Sequence, residues 1–378
     1  MKILDKYLIK EFIVPFFFGI MAFTILFMSA DLLFRVVKLI VESKMDLKSA
    51  LSFFANTLPS ILVFTFPMAV LLAVFISFGR LSGDSEIIAM RAGGISLVRI
   101  ATPVLLMCFT ISLIAFYINE KISPEAKFRA NNLILRKIAA EEISSRNNLV
   151  IRTFTPDGLE RIIISRSFNA GDGKMEGITM QDYSEDQLIR WVFADFAKWD
   201  GDKWFLYNGD IINFSGEKTR DIKYKTHFIK AEFSELKDGP QDIEKREREP
   251  EEMSAADVKD KIVFLSDIVK KDPEAAQNKE LLRKINVLKV WYYQKIALPF
   301  TCFVFGVFGI PLSLRSHRTS TSIGLGLSLV FILLYYVIMS IGRAFGENGT
   351  MDPLLASWLP NLIFGFAGGY LLYKASLQ

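Results

Sequence analysis

The chain has 378 residues, of which 51% are hydrophobic and 33 are phenylalanine, and its formal net charge is only +4. The net charge says little by itself, and no block of basic residues interleaved with aromatics suggests a nucleic-acid partner. The hydrophobic residues fall in separate blocks, and a polar stretch between residues 119 and 289 holds most of the charge. The composition therefore indicates a membrane protein with one large water-soluble insertion.

Six hydrophobic blocks are long enough to cross a membrane, which takes roughly 20 helical residues. A backbone in lipid must satisfy its own hydrogen bonds, so each block is predicted to be a helix. The first block is too long for a cleavable signal, and no small-residue cleavage site follows it. The predicted spans are Phe12–Phe34, Phe53–Phe78, Leu97–Ile118, Ile296–Leu314, Ile323–Ile341 and Leu354–Tyr373.

Lysine and arginine residues predict the orientation, because they are enriched in short cytoplasmic segments. They occur at the N-terminus, after spans 2 and 4, and after span 6. Both termini are therefore predicted to be cytoplasmic, with the large insertion outside. The loop after span 1 breaks this pattern, since it carries Arg35, Lys38, Lys44 and Lys48 on the side that should be poor in cations.

The insertion changes from helical to strand-like sequence near Asn147. Apolar runs separated by turn signals such as Asp200-Gly201-Asp202 predict short antiparallel strands, in either a sandwich or an open, barrel-like roll. Cys108 and Cys302 both lie in predicted spans, so no disulfide supports this domain. The predicted strands are Leu149–Phe154, Leu159–Ser165, Met175–Gln181, Leu188–Trp199, Lys203–Tyr207 and Ile222–Phe233.

The predicted fold is a membrane α-helical bundle of six transmembrane helices with an inserted β domain. Residues 1–118 hold spans 1–3. Residues 119–289 form the inserted domain, with a β-roll at about 148–235 and helical segments at about 254–289. Residues 290–378 hold spans 4–6, and the last helical segment of the insertion runs into span 4 without a break.

The chain lacks the motifs of the common catalytic and ion-coupled classes. It has no Walker A loop and no G-x-S-x-G motif, so it should not hydrolyse ATP itself. Its two histidines, His227 and His317, lie in different predicted compartments, and no cluster has metal-ligand spacing. Asp31 is the one acid inside a span and lies near its end, which disfavours a proton-driven carrier. No metal, cofactor or catalytic residue is predicted.

The loop between spans 2 and 3 predicts a short amphipathic helix at about 83–93. Asp84 or Ser85 can cap it, Glu86 suits its first turn, and Gly93-Gly94 can end it. Ile87, Met90 and Ala92 are available on its apolar side. A helix this short is marginal alone, so something must cover it. Either it packs against its own bundle or the lipid interface, or it docks in a groove of a cytoplasmic partner.

Several segments resemble the LptF/LptG permease family, also called YjgP/YjgQ. The loop Ser85–Ser96 is the most specific of them, and the three-helix, outer-domain, three-helix layout extends the resemblance over nearly the whole chain. The start of the chain is more similar to LptG, although other features fit either protein. The other similar segments are Leu4-Asp5-Lys6-Tyr7-Leu8, Phe66-Pro67-Met68-Ala69, Lys295-Ile296-Ala297-Leu298-Pro299-Phe300 and Trp358-Leu359-Pro360-Asn361.

The resemblance implies a permease subunit of the lipopolysaccharide exporter in the bacterial inner membrane. It implies a heterodimer with a second permease of the same family, a cytoplasmic LptB-like ATPase dimer, and a periplasmic β-jellyroll that passes lipid to LptC/LptA-like bridge proteins. It also makes the loop helix a coupling helix for the ATPase. The residues expected there are Asp84, Ser85, Glu86, Ile87, Met90, Arg91 and Gly94.

The cations on the outer side are candidates for binding lipid phosphates, which arginine and lysine suit chemically. Arg35 and Lys38 are the stronger candidates, and Lys295 and Arg343 are weaker ones. By resemblance, the family binds lipid A phosphates with helix 1 and neighbouring basic residues. The alternative is local pairing at i,i+4 spacing, as for Arg343 with Glu347, or ordinary anchoring of cations to headgroups.

Two other functions fit the same layout. One is an ABC-type mechanotransmission permease, which moves no lipid and works its outer domain as a lever. The other is a membrane anchor for a periplasmic binding domain. Bound lipid after mild purification would argue against the first, and co-purification with an ATPase would argue against the second.

Overall fold

The computed structural model describes residues 3–29, 36, 46–141, 149–154, 160–169, 171–184, 187–214, 222–233, 236, 239–240, 248–271, 279–314 and 321–377. The chain divides into two compact units. The helical unit comprises Met1–Ile134 with Glu249–Gln378, and the β unit comprises Leu135–Arg248.

Six of the described helices are long and apolar enough to cross a membrane, which confirms the six predicted spans. They begin at Ile3, Leu47, Leu97, Lys279, Thr321 and Pro353. The described helices are α1 (Ile3–Phe27), α2 (Leu47–Gly83), α3 (Glu86–Ala92), α4 (Leu97–Tyr117), α5 (Ser123–Glu141), α6 (Ala255–Lys271), α7 (Lys279–Leu314), α8 (Thr321–Glu347) and α9 (Pro353–Leu377).

The helix that begins with α4 continues well beyond the predicted end of span 3. A π-helical turn, Ile118–Ile122, joins α4 directly to α5. Pro124 lacks the N–H that a regular α-helix would direct at the carbonyl of Glu120, and the wider turn lies at this position. The sequence prediction stopped at Ile118 because charged residues follow, but the amphipathic α5 extends the helix to Glu141.

The helical unit brings together two family-like segments that lie far apart in the chain. The amide Nδ2 of Asn361, in α9, donates to the main-chain carbonyl of Ala297, in α7, at 2.7 Å. The hydroxyls of Thr301 and Tyr335, on α7 and α8, lie 2.6 Å apart, and both contact the Asn361 Oδ1. All of these side chains are buried. This satisfied polar network ties three helices together, because an unpaired polar group here would be costly.

The β unit contains one antiparallel sheet whose six described strands are ordered as they occur in the chain. This corresponds to the open-roll alternative rather than a two-sheet sandwich. Gly201, with φ +87°, forms the predicted hairpin turn between the fourth and fifth strands. All six predicted strands are present: β1 (Leu149–Phe154), β2 (Glu160–Asn169), β3 (Lys174–Ser184), β4 (Gln187–Trp199), β5 (Trp204–Phe214) and β6 (Ile222–Phe233).

Five neighbouring strands of this sheet change face along a single row, which we call the crease. In each strand pair from β2 to β6 the regular pairing skips one residue on both sides. Buried positions are consequently three residues apart across the row, as for Met175 and Ile178 or Ala194 and Ala197, where an ordinary strand has them two apart. The crease consists of Arg166, Gly177, Asp195, Asn208 and Ile229.

The crease explains why β5 extends beyond its predicted end at Tyr207. Asn208-Gly209-Asp210 reads as a turn, but Asn208 adopts φ +51° inside a continuous strand and changes the face on which later side chains lie. Gly177 does the same in β3, with φ +60°. We call the face of the sheet that carries the buried core, including Ile163, the inner face, and the opposite face the outer face. On the outer face the crease lines a groove of about 530 Å³.

Candidate coupling helix and cation sites

The predicted loop helix is present as α3, and its end matches the prediction. Gly94 has φ +85°, the N–H of Gly94 donates to the carbonyl of Arg91 at 2.9 Å, and that of Ile95 to the carbonyl of Met90 at 3.1 Å. This pair of bonds is a Schellman ending, which requires a left-handed residue at the Gly94 position. The two glycines therefore stop the helix for the reason the sequence suggested.

The start of α3 differs from the prediction that Asp84 or Ser85 caps it. Asp84 instead ends α2, where its N–H donates to the carbonyl of Arg80 at 2.9 Å. Ser85 occupies the N-cap position with φ +61°, and its side chain makes no capping bond. The helices α2 and α3 follow each other so closely that one left-handed residue forms the corner, and a left-handed residue lacks the extended backbone of a normal N-cap.

One side of α3 packs on its own bundle and the other side is open. Ile87 is buried in the core of the helical unit, and Met90 packs against that core. Ile88 is half exposed, and Ala92 is exposed although the sequence placed it on the apolar side. Packing against the bundle therefore accounts for one face of α3, and Ile88 with Ala92 leaves a second face available for a partner.

The first residue of α3 is joined to the first turns of α1. The hydroxyl of Tyr7 donates to the carboxylate Oε2 of Glu86 at 2.7 Å. Two ion pairs flank this bond. Asp5 pairs with Arg99 at 2.7 Å, and Glu11 pairs with Arg80.

Sequence reasoning identified Glu86 but not these partners. The Leu4–Leu8 segment resembles the family, and Tyr7 within it contacts the loop helix. Tyr7 and Glu86 are 79 residues apart, so no local spacing could have paired them.

Two of the four cation candidates, Lys295 and Arg343, lie in the part of the chain that the structure describes. Lys295 is buried, with 6% of its surface exposed. Its main-chain carbonyl accepts a bond from Asn119, and its ammonium group makes no hydrogen bond or ion pair with any residue the structure describes. Glu120, Glu251 and Asp257 act on this ammonium electrostatically without forming an ion pair with it, and Glu120 already accepts bonds from the N–H groups of Ala255 and Ala256 at the start of α6. A buried cation without a paired anion is costly, so this ammonium can take an anionic ligand.

Arg343 is occupied by neighbours within its own unit. Its Nε donates to Glu347 at 2.6 Å, as the local-pairing alternative predicted, and its guanidinium lies 4.1 Å from the centre of the Trp291 ring. Arg35 and Lys38 lie outside the described residues, so their role stays a prediction. Of the four cation candidates, Lys295 is thus the described one that lacks a local partner.

Comparison with known proteins gives one consistent result. Residues 6–374 match the family "Lipopolysaccharide export system permease LptF/LptG". The chain is 22% identical over 320 residues to the LptG permease protein of Escherichia coli strain K12, covering 82% of this chain and 81% of that protein. It is 23% identical over 368 residues to the LptG protein of Haemophilus influenzae, covering 96% and 95%.

Proposed function

Because the chain belongs to the LptF/LptG family of lipopolysaccharide export permeases, we propose that it is one of the two membrane subunits of an ABC transporter that extracts lipopolysaccharide from the inner membrane. The observation that carries the proposal is the match of residues 6–374, which covers all six apolar helices and the sheet. The family and these helices make it an inner-membrane protein. The subunit itself carries no nucleotide-binding motif, so a separate ATPase supplies the energy.

The proposed orientation follows from the lysine and arginine distribution, which puts both termini and α3 in the cytoplasm and the sheet in the periplasm. In this arrangement the exposed face of α3, with Ile88 and Ala92, docks on a cytoplasmic LptB-like ATPase dimer. A helix presenting one apolar face to a partner groove is a recurrent recognition mode. A second permease of the same family completes the membrane pair.

We propose that lipopolysaccharide enters among the helices from the outer leaflet, with its phosphates on Arg35, Lys38 and Lys295, and that its acyl chains pass along the inner face of the sheet to LptC/LptA-like bridge proteins. The support is chemical. Charged phosphates need cations at the helices, and acyl chains need apolar side chains. The inner face carries Ile163, Val192 and Leu206, which are buried in the core of the sheet, so the proposal requires this face to open for the lipid.

The deciding experiment is to purify the tagged chain in mild detergent and identify what accompanies it. Recovery of an ATPase, a second permease and bound lipopolysaccharide, with ATP-dependent release of that lipid, is the expected result. An ATPase without any bound or released lipid would favour the mechanotransmission permease. Recovery of the chain with neither ATPase nor second permease would favour a membrane anchor for the β domain.

A further inference from the structure

At the cytoplasmic ends of the helices, in the proposed orientation, the start of α1 makes side-chain contacts with both α2 and α3. Glu11, in α1, pairs with Arg80, at the end of α2. Tyr7 lies one helical turn before Glu11 on α1, and its hydroxyl donates to Glu86 Oε2 at 2.7 Å. Neighbouring turns of α1 are therefore joined to the end of α2, through Glu11, and to the acid that opens α3, through Tyr7.

The backbone around these contacts is held by packing, so the Tyr7 hydroxyl has a defined position. Leu8 and Phe12, which neighbour Tyr7 on α1, are 1% and 0% exposed. Ile87, which follows Glu86, is 4% exposed and belongs to the same buried core. Buried apolar neighbours on both sides fix the separation of the two polar groups, which is the usual way that a functional side chain is preorganised.

The contact with Tyr7 involves only one of the two oxygens of the Glu86 carboxylate. Its Oε2 accepts from Tyr7, and its Oε1 has no partner among the residues that the structure describes. The side chain is of intermediate exposure, on a helix whose other face is open. A carboxylate held at one oxygen can accept a charge-assisted bond at the other without first losing rotamer freedom, which makes that bond stronger.

We infer that Tyr7 is a positioning residue for Glu86, and that its hydroxyl orients the carboxylate for a basic group on the ATPase. The inference rests on the proposed function, in which α3 docks on that ATPase. It adds that the start of α1 sets the geometry of this docking, so a movement of α1 and the binding of the ATPase are linked. A merely structural role for Tyr7 would affect folding and assembly but would be independent of Glu86.

The test is a double-mutant cycle in the complex of permease pair and ATPase, reconstituted in liposomes containing lipopolysaccharide. The variants are Tyr7→Phe, Glu86→Gln and the two combined, with Tyr336→Phe as the matched control. Tyr336 also loses one hydroxyl bond in that control, to the carbonyl of Phe64 at 3.0 Å, away from α3. The readouts, taken per mole of assembled complex, are the affinity for the ATPase and the lipid exported per ATP hydrolysed.

Positioning predicts that Tyr7→Phe weakens ATPase affinity or export per ATP about tenfold, which corresponds to about 1.4 kcal/mol. The same change should have no further effect when Glu86→Gln is already present, because coupled residues are not additive. An equal loss in both backgrounds, or no loss in either, would overturn the inference. If Glu86→Gln itself leaves affinity and coupling at wild-type levels, the proposed docking of α3 fails instead, so the two failures are distinguishable.

Discussion

The side-chain amide of Asn119 donates to the main-chain carbonyl of Lys295 at 2.8 Å. Pro299 has no N–H, so this carbonyl lacks its usual helical donor, and Asn119 replaces it. Asn119→Ala should therefore leave a carbonyl unpaired and lower the free energy of unfolding by about 1–3 kcal/mol. The measurement is the thermal unfolding of the purified protein in detergent. Asn56→Ala is the control, because Asn56 donates to the Ser52 carbonyl in an uninterrupted stretch of α2. An equal shift in both variants would contradict the argument.

The sequence predicts the six spans and six strands well, because each depends on local hydrophobicity and local turn residues. It fails where a conformation or a contact is set by the fold. Asn208 looks like a turn residue, and only its place in the crease keeps it inside β5. Ser85 looks like a cap, but the close succession of α2 and α3 makes it a corner. The partner of Glu86 comes from the start of the chain, which no spacing reveals.

Glu86→Lys should uncouple ATP hydrolysis from lipid export while the protein still folds and inserts. In the proposed docking, the new cation would face a basic group on the ATPase, and like charges at an interface cost more than a lost pair. The variant would also lose the hydrogen bond that Glu86 accepts from Tyr7. Assembly is measured by co-purification, and coupling by lipid released per ATP. Glu176→Lys, a reversal of the same charge on the exposed sheet, is the control. Wild-type assembly and export in Glu86→Lys would refute the coupling-helix assignment.

The crease should depend on its two residues with positive φ. Gly177→Ala places a Cβ at φ +60° and 2.9 Å from the Arg166 Cβ, so it should destabilise the sheet by more than about 1 kcal/mol. Asn208→Gly keeps the left-handed conformation and should be tolerated better than Asn208→Ala. Amide hydrogen exchange of β3 and β4 in the full-length protein measures both effects. Gly171→Ala is the control, since Gly171 has neither a positive φ nor a close backbone neighbour. If Gly177→Ala and Gly171→Ala gave the same hydrogen exchange, the crease would not depend on the backbone conformation at Gly177.

Photo-crosslinkers on the inner face of the sheet should capture lipopolysaccharide in an ATP-dependent way. Ile163 is buried on that face, so capture there requires the face to open, and Ile151 pairs with it in register. The matched control is Thr179, which pairs with Ile164 and therefore lies on the outer face. Adducts at 163 and 151 but not at 179 are expected in the reconstituted complex with ATP. Adducts at sites in the helices with none on the sheet would exclude the β domain from the lipid path.

The cation candidates make separable predictions. If Arg35 and Lys38 hold lipid phosphates, changing both to glutamate removes two charge-assisted contacts of roughly 1.5–3 kcal/mol each. Lipid affinity should then fall at least about a hundredfold, since about 1.4 kcal/mol is tenfold. Local i,i+4 pairing predicts almost no effect, because exposed pairs contribute only about 0.3–0.5 kcal/mol. The measurement is lipopolysaccharide retained per mole of assembled complex.

Lys295→Met has a signature that distinguishes binding from anchoring. Its ammonium is buried without a paired anion among the described residues, so a methionine of similar length should raise the thermal stability of the lipid-free protein. If the same ammonium binds a lipid phosphate, the variant must also retain less lipopolysaccharide. Arg343→Met is the comparison, because Arg343 already pairs with Glu347 and stacks on Trp291. It should lose stability without losing lipid. A more stable Lys295→Met protein that retains lipid normally would show that Lys295 binds no lipid phosphate. The phosphate site would then have to depend on Arg35 and Lys38.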